Sequence, residues 1–217
     1  MRIRRSFMTH LDRYIPWAAV LLALLSVAFL VDFHAIDRLL LMELGTPDGA
    51  RDGSGIFFWL AWMFTAFGSP RFVVPMSATL VAILLVRKEM SRAWFAFISL
   101  AGGAALAYVT KAAFAMAKPH HLPGSNEMAA TSFPSGHAVL SLLLALTMLV
   151  LWQPRDLNLR RLMLAIVLAI VLAIGVSRVF LGTHWPSDVL AGWLFAVIWI
   201  SAAHRLAFGF GKAASRG

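Results

Sequence analysis

Apolar segments long enough to cross a bilayer recur along this chain, separated by short loops that carry most of its lysine and arginine, and that alternation dominates what it can fold into. An α-helix rises about 1.5 Å per residue, so roughly 20 apolar residues span a hydrocarbon core about 30 Å thick. Segments 15–31, 71–86, 93–110, 138–152 and 162–177 qualify, and 186–204 makes a sixth. Inside lipid the backbone must satisfy its own hydrogen bonds, which for segments of this length means helices. The reading is an all-α fold, a six-transmembrane-helix bundle forming one membrane-integral domain over residues 1–217, with both termini on one side.

The apolar stretch 56–67 is too short to cross and is closed by Gly68-Ser69-Pro70, so it is read as an interfacial or re-entrant helix between the first two spans. With that assignment Arg2, Arg4, Arg5 and Arg13 share a side with Arg87, Lys88, Arg92, Arg155, Arg160 and Arg161. The opposite side keeps mostly acids, among them Asp32, Asp37, Glu43, Asp48 and Asp52. Cytoplasmic loops are the ones enriched in Lys and Arg, so the basic side is cytoplasmic. Pro16 and Pro186 stand at helix starts, where a missing N–H costs nothing. Trp17, Trp94, Trp152 and Trp185 lie near span ends, as an interfacial belt requires. No small-residue cleavage site follows the first span, which is read as retained.

Composition narrows the functions. With 60% hydrophobic and 13% charged residues and a mean hydropathy of +0.79, the chain is an integral membrane protein and not a soluble domain. The formal charge of +9 does not imply nucleic acid, because the cations cluster in short loops between apolar runs, where topology and anionic lipid account for them. The absence of cysteine excludes disulfides, thiolate nucleophiles and Cys-ligated metals. Ser99, Gly102, Gly103 and Gly175 are small residues inside spans and are read as points of close helix packing.

Against this apolar background the polar residues near span ends need a reason. Lys111 and Lys118 are seven apart, two helical turns, so an extension of the third span presents both ammonium groups on one face, where they can grip one phosphate. In Ser132-Phe133-Pro134-Ser135-Gly136-His137, Pro134 suits the first turn of the fourth helix with Ser132 as its cap. The N–H groups near Ser135, Gly136 and His137 then point outward as an anion site. His184 and Asp188 are four apart at the start of the sixth helix. A hydrogen bond between them fixes the imidazole tautomer and leaves the other nitrogen free to attack. Arg178 precedes His184 by six. The topology puts Lys111, Lys118, Ser135, His137, Arg178, His184 and Asp188 on the non-cytoplasmic face together, a phosphoryl-transfer constellation. His120, His121 and Glu127 are read as solvated loop, His10, His34 and His204 as interfacial, and Asp32 and Asp37 as marking the end of the first span.

The three segments resemble the signature of the type 2 phosphatidic acid phosphatase (PAP2) family. Its motifs are Lys, six residues, Arg-Pro; then Pro-Ser-Gly-His; then Ser-Arg, five residues, His, three residues, Asp. The second is matched at Pro134-Ser135-Gly136-His137 and the third at Ser177, Arg178, His184 and Asp188. The first is matched at Lys111 and Pro119, with Lys118 where the family has Arg; lysine keeps the charge and loses the planar fork. The resemblance implies that His184 is the nucleophile of a phosphohistidine step, Asp188 its orienting partner and His137 the acid for the leaving oxygen. Lys111, Lys118, Arg178, Ser135 and Gly136 then hold the phosphoryl oxygens, with no metal and no cofactor.

The function expected on that basis is a metal-independent lipid phosphatase at the outer face of a bacterial inner membrane. Its partners are the lipid phosphate substrate and membrane lipids, with no nucleic acid and no obligatory protein partner. A diphosphate leaves as a stabilised monophosphate and needs little headgroup recognition, so undecaprenyl diphosphate is the favoured substrate. Phosphatidylglycerol phosphate and phosphatidic acid come second. The alternatives are a lipid A phosphatase or a lipid phosphotransferase passing the phosphoryl group to an acceptor lipid, and a non-catalytic lipid-binding or transport protein.

Overall fold

The computed structural model of the chain describes residues 37–41, 55–116, 118–119, 131–152 and 154–209. The expected first span at 15–31, the N-terminal basic cluster, His10, Asp32, His34, His120, His121 and Glu127 lie outside the described residues.

Helix α1, Ile56–Gly68, ends where Ser69 turns extended, and α2, Pro70–Val86, begins at once with its proline in the first turn. The short helix expected at 56–67 therefore runs into the next element with one residue between them, and Ile56–Val86 reads as one apolar stretch with an elbow. Helix α3, Met90–Phe114, carries a π turn at Ile98–Gly102. Helices α4, Gly136–Leu151, α5, Leu157–Phe180, and α6, Pro186–Gly209, complete the bundle after a helical turn at 37–41. Asp156 caps α5, its carboxylate accepting from the Asn158 N–H at 2.8 Å, which satisfies a donor the first helical turn leaves open.

Burial divides the helices by role. Eleven of the sixteen α4 residues are buried, against Val73 and Leu84 alone on the seventeen-residue α2, so α4 is the central helix and α2 faces outward. Helices α3, α5 and α6 pack around α4, and α1 lies on α5. Large apolar side chains such as Trp59, Trp62, Leu162 and Val176 stay exposed, a surface that suits lipid and not water. Among the described residues four helical stretches are long and apolar enough to cross a membrane.

Small residues set the closest approaches, as the sequence led one to expect. A Cβ on Gly102 would stand 2.7 Å from Trp199, and one on Gly103 would stand 2.4 Å from Leu143. The same tryptophan donates its indole N–H to the Ile98 and Ser99 carbonyls, each at 3.1 Å, which repairs hydrogen bonding at the widened π turn. Gly192 matters most for the site: a Cβ there would lie 2.9 Å from the Ser135 carbonyl, so α6 can press its first turns against the start of α4 only without one.

Candidate active site

The close approach of α6 to α4 gathers polar groups around one carboxylate. Asp188, fully buried, accepts from the Trp185 N–H at 2.9 Å and from the Ser132 hydroxyl, and its carbonyl accepts from the Ser135 N–H at 3.0 Å. The carboxylate thus closes the first turn of its own helix and ties it to the segment before α4. Ser132 was expected to cap α4; it serves Asp188 instead, because α4 starts at Gly136 with Ser135 in the capping position. Pro134, expected in the first turn, lies before the helix and follows a cis peptide bond. His184 Nδ1 stands 3.5 Å from Asp188 Oδ2, longer than the hydrogen bond the spacing suggested.

The loop to His184 is built from the end of α5. The Arg178 carbonyl accepts from the Thr183 N–H at 3.1 Å, the Thr183 hydroxyl at 3.0 Å and the His184 N–H at 3.3 Å. Gly182 takes the left-handed φ of 63° that the reversal requires. Burial, reinforced by the Arg178, Lys111 and Lys118 charges, holds His184 well below the ordinary imidazole range, against a backbone hydrogen bond to Ser132 that pulls the other way. Both the burial and the neighbouring charges disfavour the imidazolium form.

Three cations converge on this pair from different elements. Arg178 is buried, donates through Nη1 to the Thr65 hydroxyl at 2.8 Å, and keeps Nε without a partner among the described residues. Lys111 donates to the Thr131 and Ser132 carbonyls at 2.8 and 3.1 Å. Lys118 does not share a helical face with Lys111, contrary to expectation. Helix α3 ends at Phe114 and Ala115 turns left-handed at φ 45°, so Lys118 arrives on the connecting chain. Half burial and the Arg178 charge lower its ammonium from the usual lysine range. Arg178, His184, Lys118 and Lys111 all lie within electrostatic range of His137.

His137 and Arg178 open onto a groove of about 680 Å³ whose other walls come from the end of α1 and the start of α2, including Thr65, Phe67, Ser69, Arg71 and Phe72. Ser135, two residues before His137, is buried with its Oγ lacking a hydrogen-bond partner among the described residues, and the space where a Gly136 side chain would project is open. An unpaired buried polar group costs about 1–3 kcal/mol, so Ser135 Oγ and Arg178 Nε are the donors to expect where an anion binds. A second, apolar groove of about 410 Å³ runs between α1, α2, α4 and α5 and shares Phe67 and Phe72 with the first. The structure therefore brings together His137, Ser135, Gly136, Arg178, His184, Asp188, Lys111 and Lys118.

Sequence reasoning missed Thr65, and it read Ser132 as a cap of α4 and not as a partner of Asp188. Asp37, read as marking the end of the first span, is buried and accepts from both the N–H and the hydroxyl of Ser187 at the α6 terminus. The one available signal was a lone hydroxyl, Thr65, within an otherwise apolar helix.

The sequence profile of the PAP2 superfamily matches residues 92–212, more than half of the chain. The chain belongs to the PAP2 superfamily. This PAP2 chain is 43% identical over 70 residues to a protein of Sulfolobus acidocaldarius named undecaprenyl-diphosphatase, a match covering 32% of the chain and 30% of that relative's length. Its fold is similar to the crystal structure of a transmembrane PAP2 type phosphatidylglycerolphosphate phosphatase from Bacillus subtilis, with a TM-score of 0.71 at 20% identity over 92% of this chain and 97% of the other. The all-α, multi-pass membrane bundle read from the sequence is thus the transmembrane PAP2 fold.

Proposed function

We propose that this PAP2 protein is a lipid phosphatase that works through a phosphohistidine at His184 and prefers undecaprenyl diphosphate. The observation that carries the reading is the shared groove: His137 and Arg178 line it together, with His184 and buried Asp188 in the same cluster. Lys111, Lys118 and Arg178 supply the positive charge that a transferring phosphoryl group needs as charge moves onto its oxygens.

The reaction runs in two displacements. The Nε2 lone pair of His184 attacks phosphorus, a P–N bond forms, and the P–O bond to the lipid breaks with its electron pair going to the lipid oxygen, which His137 protonates. Water then attacks the phosphohistidine, giving a proton to His137, and inorganic phosphate leaves with His184 restored. Asp188 keeps the imidazole oriented, while Ser135 Oγ and the Gly136 N–H hold the phosphoryl oxygens.

The polar groove and the apolar one share Phe67 and Phe72 in their linings, a juxtaposition that suits a substrate carrying phosphate and hydrocarbon at once. The named relative supports a polyprenyl diphosphate, and the named structural neighbour supports phosphatidylglycerol phosphate as a secondary substrate. The distribution of cations supports an inner-membrane protein with cytoplasmic termini and a site open to the outer face. The test is inorganic phosphate release by the purified protein from undecaprenyl diphosphate, phosphatidylglycerol phosphate, phosphatidic acid and lipid A in one detergent. The diphosphate is expected to give the highest kcat/KM. A preference for any competitor above about tenfold, ~1.4 kcal/mol in transition-state binding, refutes the substrate, and no phosphate from any of them refutes the phosphatase.

A further inference from the structure

Arg71 belongs to none of the motifs and lies outside the residues matched by the family profile, yet it lines the groove that His137 and Arg178 share. It is the second residue of α2, set at the groove by the Ser69 elbow, and its side chain is exposed. Phe72, its neighbour, packs edge-on to Phe67 with ring centroids 5.2 Å apart, and those two rings also border the apolar groove. Arg71 thus lines the polar groove next in sequence to a residue that lines both grooves.

In an in-line displacement the leaving oxygen departs opposite the nucleophile. With His184 attacking and His137 protonating the leaving oxygen, the leaving group lies toward the groove that His137 lines, and Arg71 lines that same groove. A phosphate monoester puts only its ester oxygen and carbon chain there. A lipid diphosphate puts a second phosphate there, and that phosphate gains a negative charge as the P–O bond breaks. An arginine fork matches such an anion in both charge and geometry.

Resting on the phosphohistidine reading above, we propose that Arg71 binds the phosphate that stays with the lipid, and so selects lipid diphosphates over lipid monophosphates. The electron pair of the breaking P–O bond ends on that phosphate, and Arg71 stabilises it there, which lessens the need for a proton from His137.

The experiment uses the full-length protein in detergent with two matched pairs of probes: farnesyl diphosphate with farnesyl monophosphate, and diacylglycerol diphosphate with phosphatidic acid. Arg71→Gln is expected to lower the diphosphate-to-monophosphate ratio of kcat/KM by about tenfold or more in both pairs, and Arg71→Lys to restore most of that ratio. An unchanged ratio, a fall in only one pair, or no difference between the lysine and glutamine variants overturns the proposal. Wild-type protein that cleaves monophosphates but not diphosphates overturns it while leaving the phosphatase reading intact. Wild-type protein inert on all four probes overturns both.

Discussion

At the scale of single residues, the proposed chemistry rests on a histidine held among cations that disfavour its protonation. His184→Ala is expected to abolish turnover, and Asp188→Asn to lower kcat by roughly 10²–10⁴, the range for orienting and acid–base groups. Phosphate release by the purified, correctly folded variants checks both, and a fully active His184→Ala protein would end the mechanism. The charges give a second prediction. Protonation of His184 removes its attacking lone pair, and because its pKa is depressed, the loss it causes begins below the ordinary imidazole range. Lys118→Gln takes away one of the charges that disfavour imidazolium, so the His184 pKa rises and the acid limb of kcat/KM moves to higher pH. The profile is measured against wild type on one substrate, so that the titration of the substrate cancels, and an unmoved limb contradicts the assignment. All eight site residues named from sequence arrive at one cluster, since ordered motifs report on chemistry that needs fixed residue types. The contacts of Thr65, Ser132 and Asp37 were not legible, because their partners lie 113, 56 and 150 positions away and no local spacing encodes such contacts.

At the scale of helices, the apolar runs located five described elements to within about five residues, since hydrophobic length is the property lipid selects. The break at Ser69 between α1 and α2 was legible too, in Gly68-Ser69-Pro70. The end of α3 was not: Ala115 breaks it before Lys118, an outcome of tertiary packing that outweighs local propensity. The elbow lets α1 lie on α5, where the Thr65 hydroxyl accepts from Arg178 and, at 3.2 Å, from Ser177. A hydrogen bond to a charged group is worth about 1.5–3 kcal/mol. Thr65→Val, nearly the same shape, is expected to lower kcat/KM about tenfold, with Thr65→Ser retaining activity. Wild-type kinetics in the valine variant would show that α1 only fills space.

At the scale of the whole molecule, the two ends of the bundle differ in kind. Arg92 at the start of α3 donates to the Leu151 carbonyl at the end of α4, which levels those two termini on the end away from the site. Sidedness follows from the cation distribution. In intact cells an impermeant thiol reagent is expected to label Gly124→Cys, in the stretch between Lys118 and Thr131, and to reach Arg87→Cys only after lysis. The reverse pattern would invert the topology. At the site end the helices finish close together: His137 in the first turn of α4 and Arg178 in the last turn of α5 line one groove. The catalytic cluster therefore sits within about one helical turn of where both helices end, and a lipid phosphate needs little descent from its headgroup layer to meet it. Reconstituted into lipids of graded acyl length, the protein should turn over at a nearly constant rate, and a steep rise as the bilayer thins would mean that the phosphate has to travel down to the site.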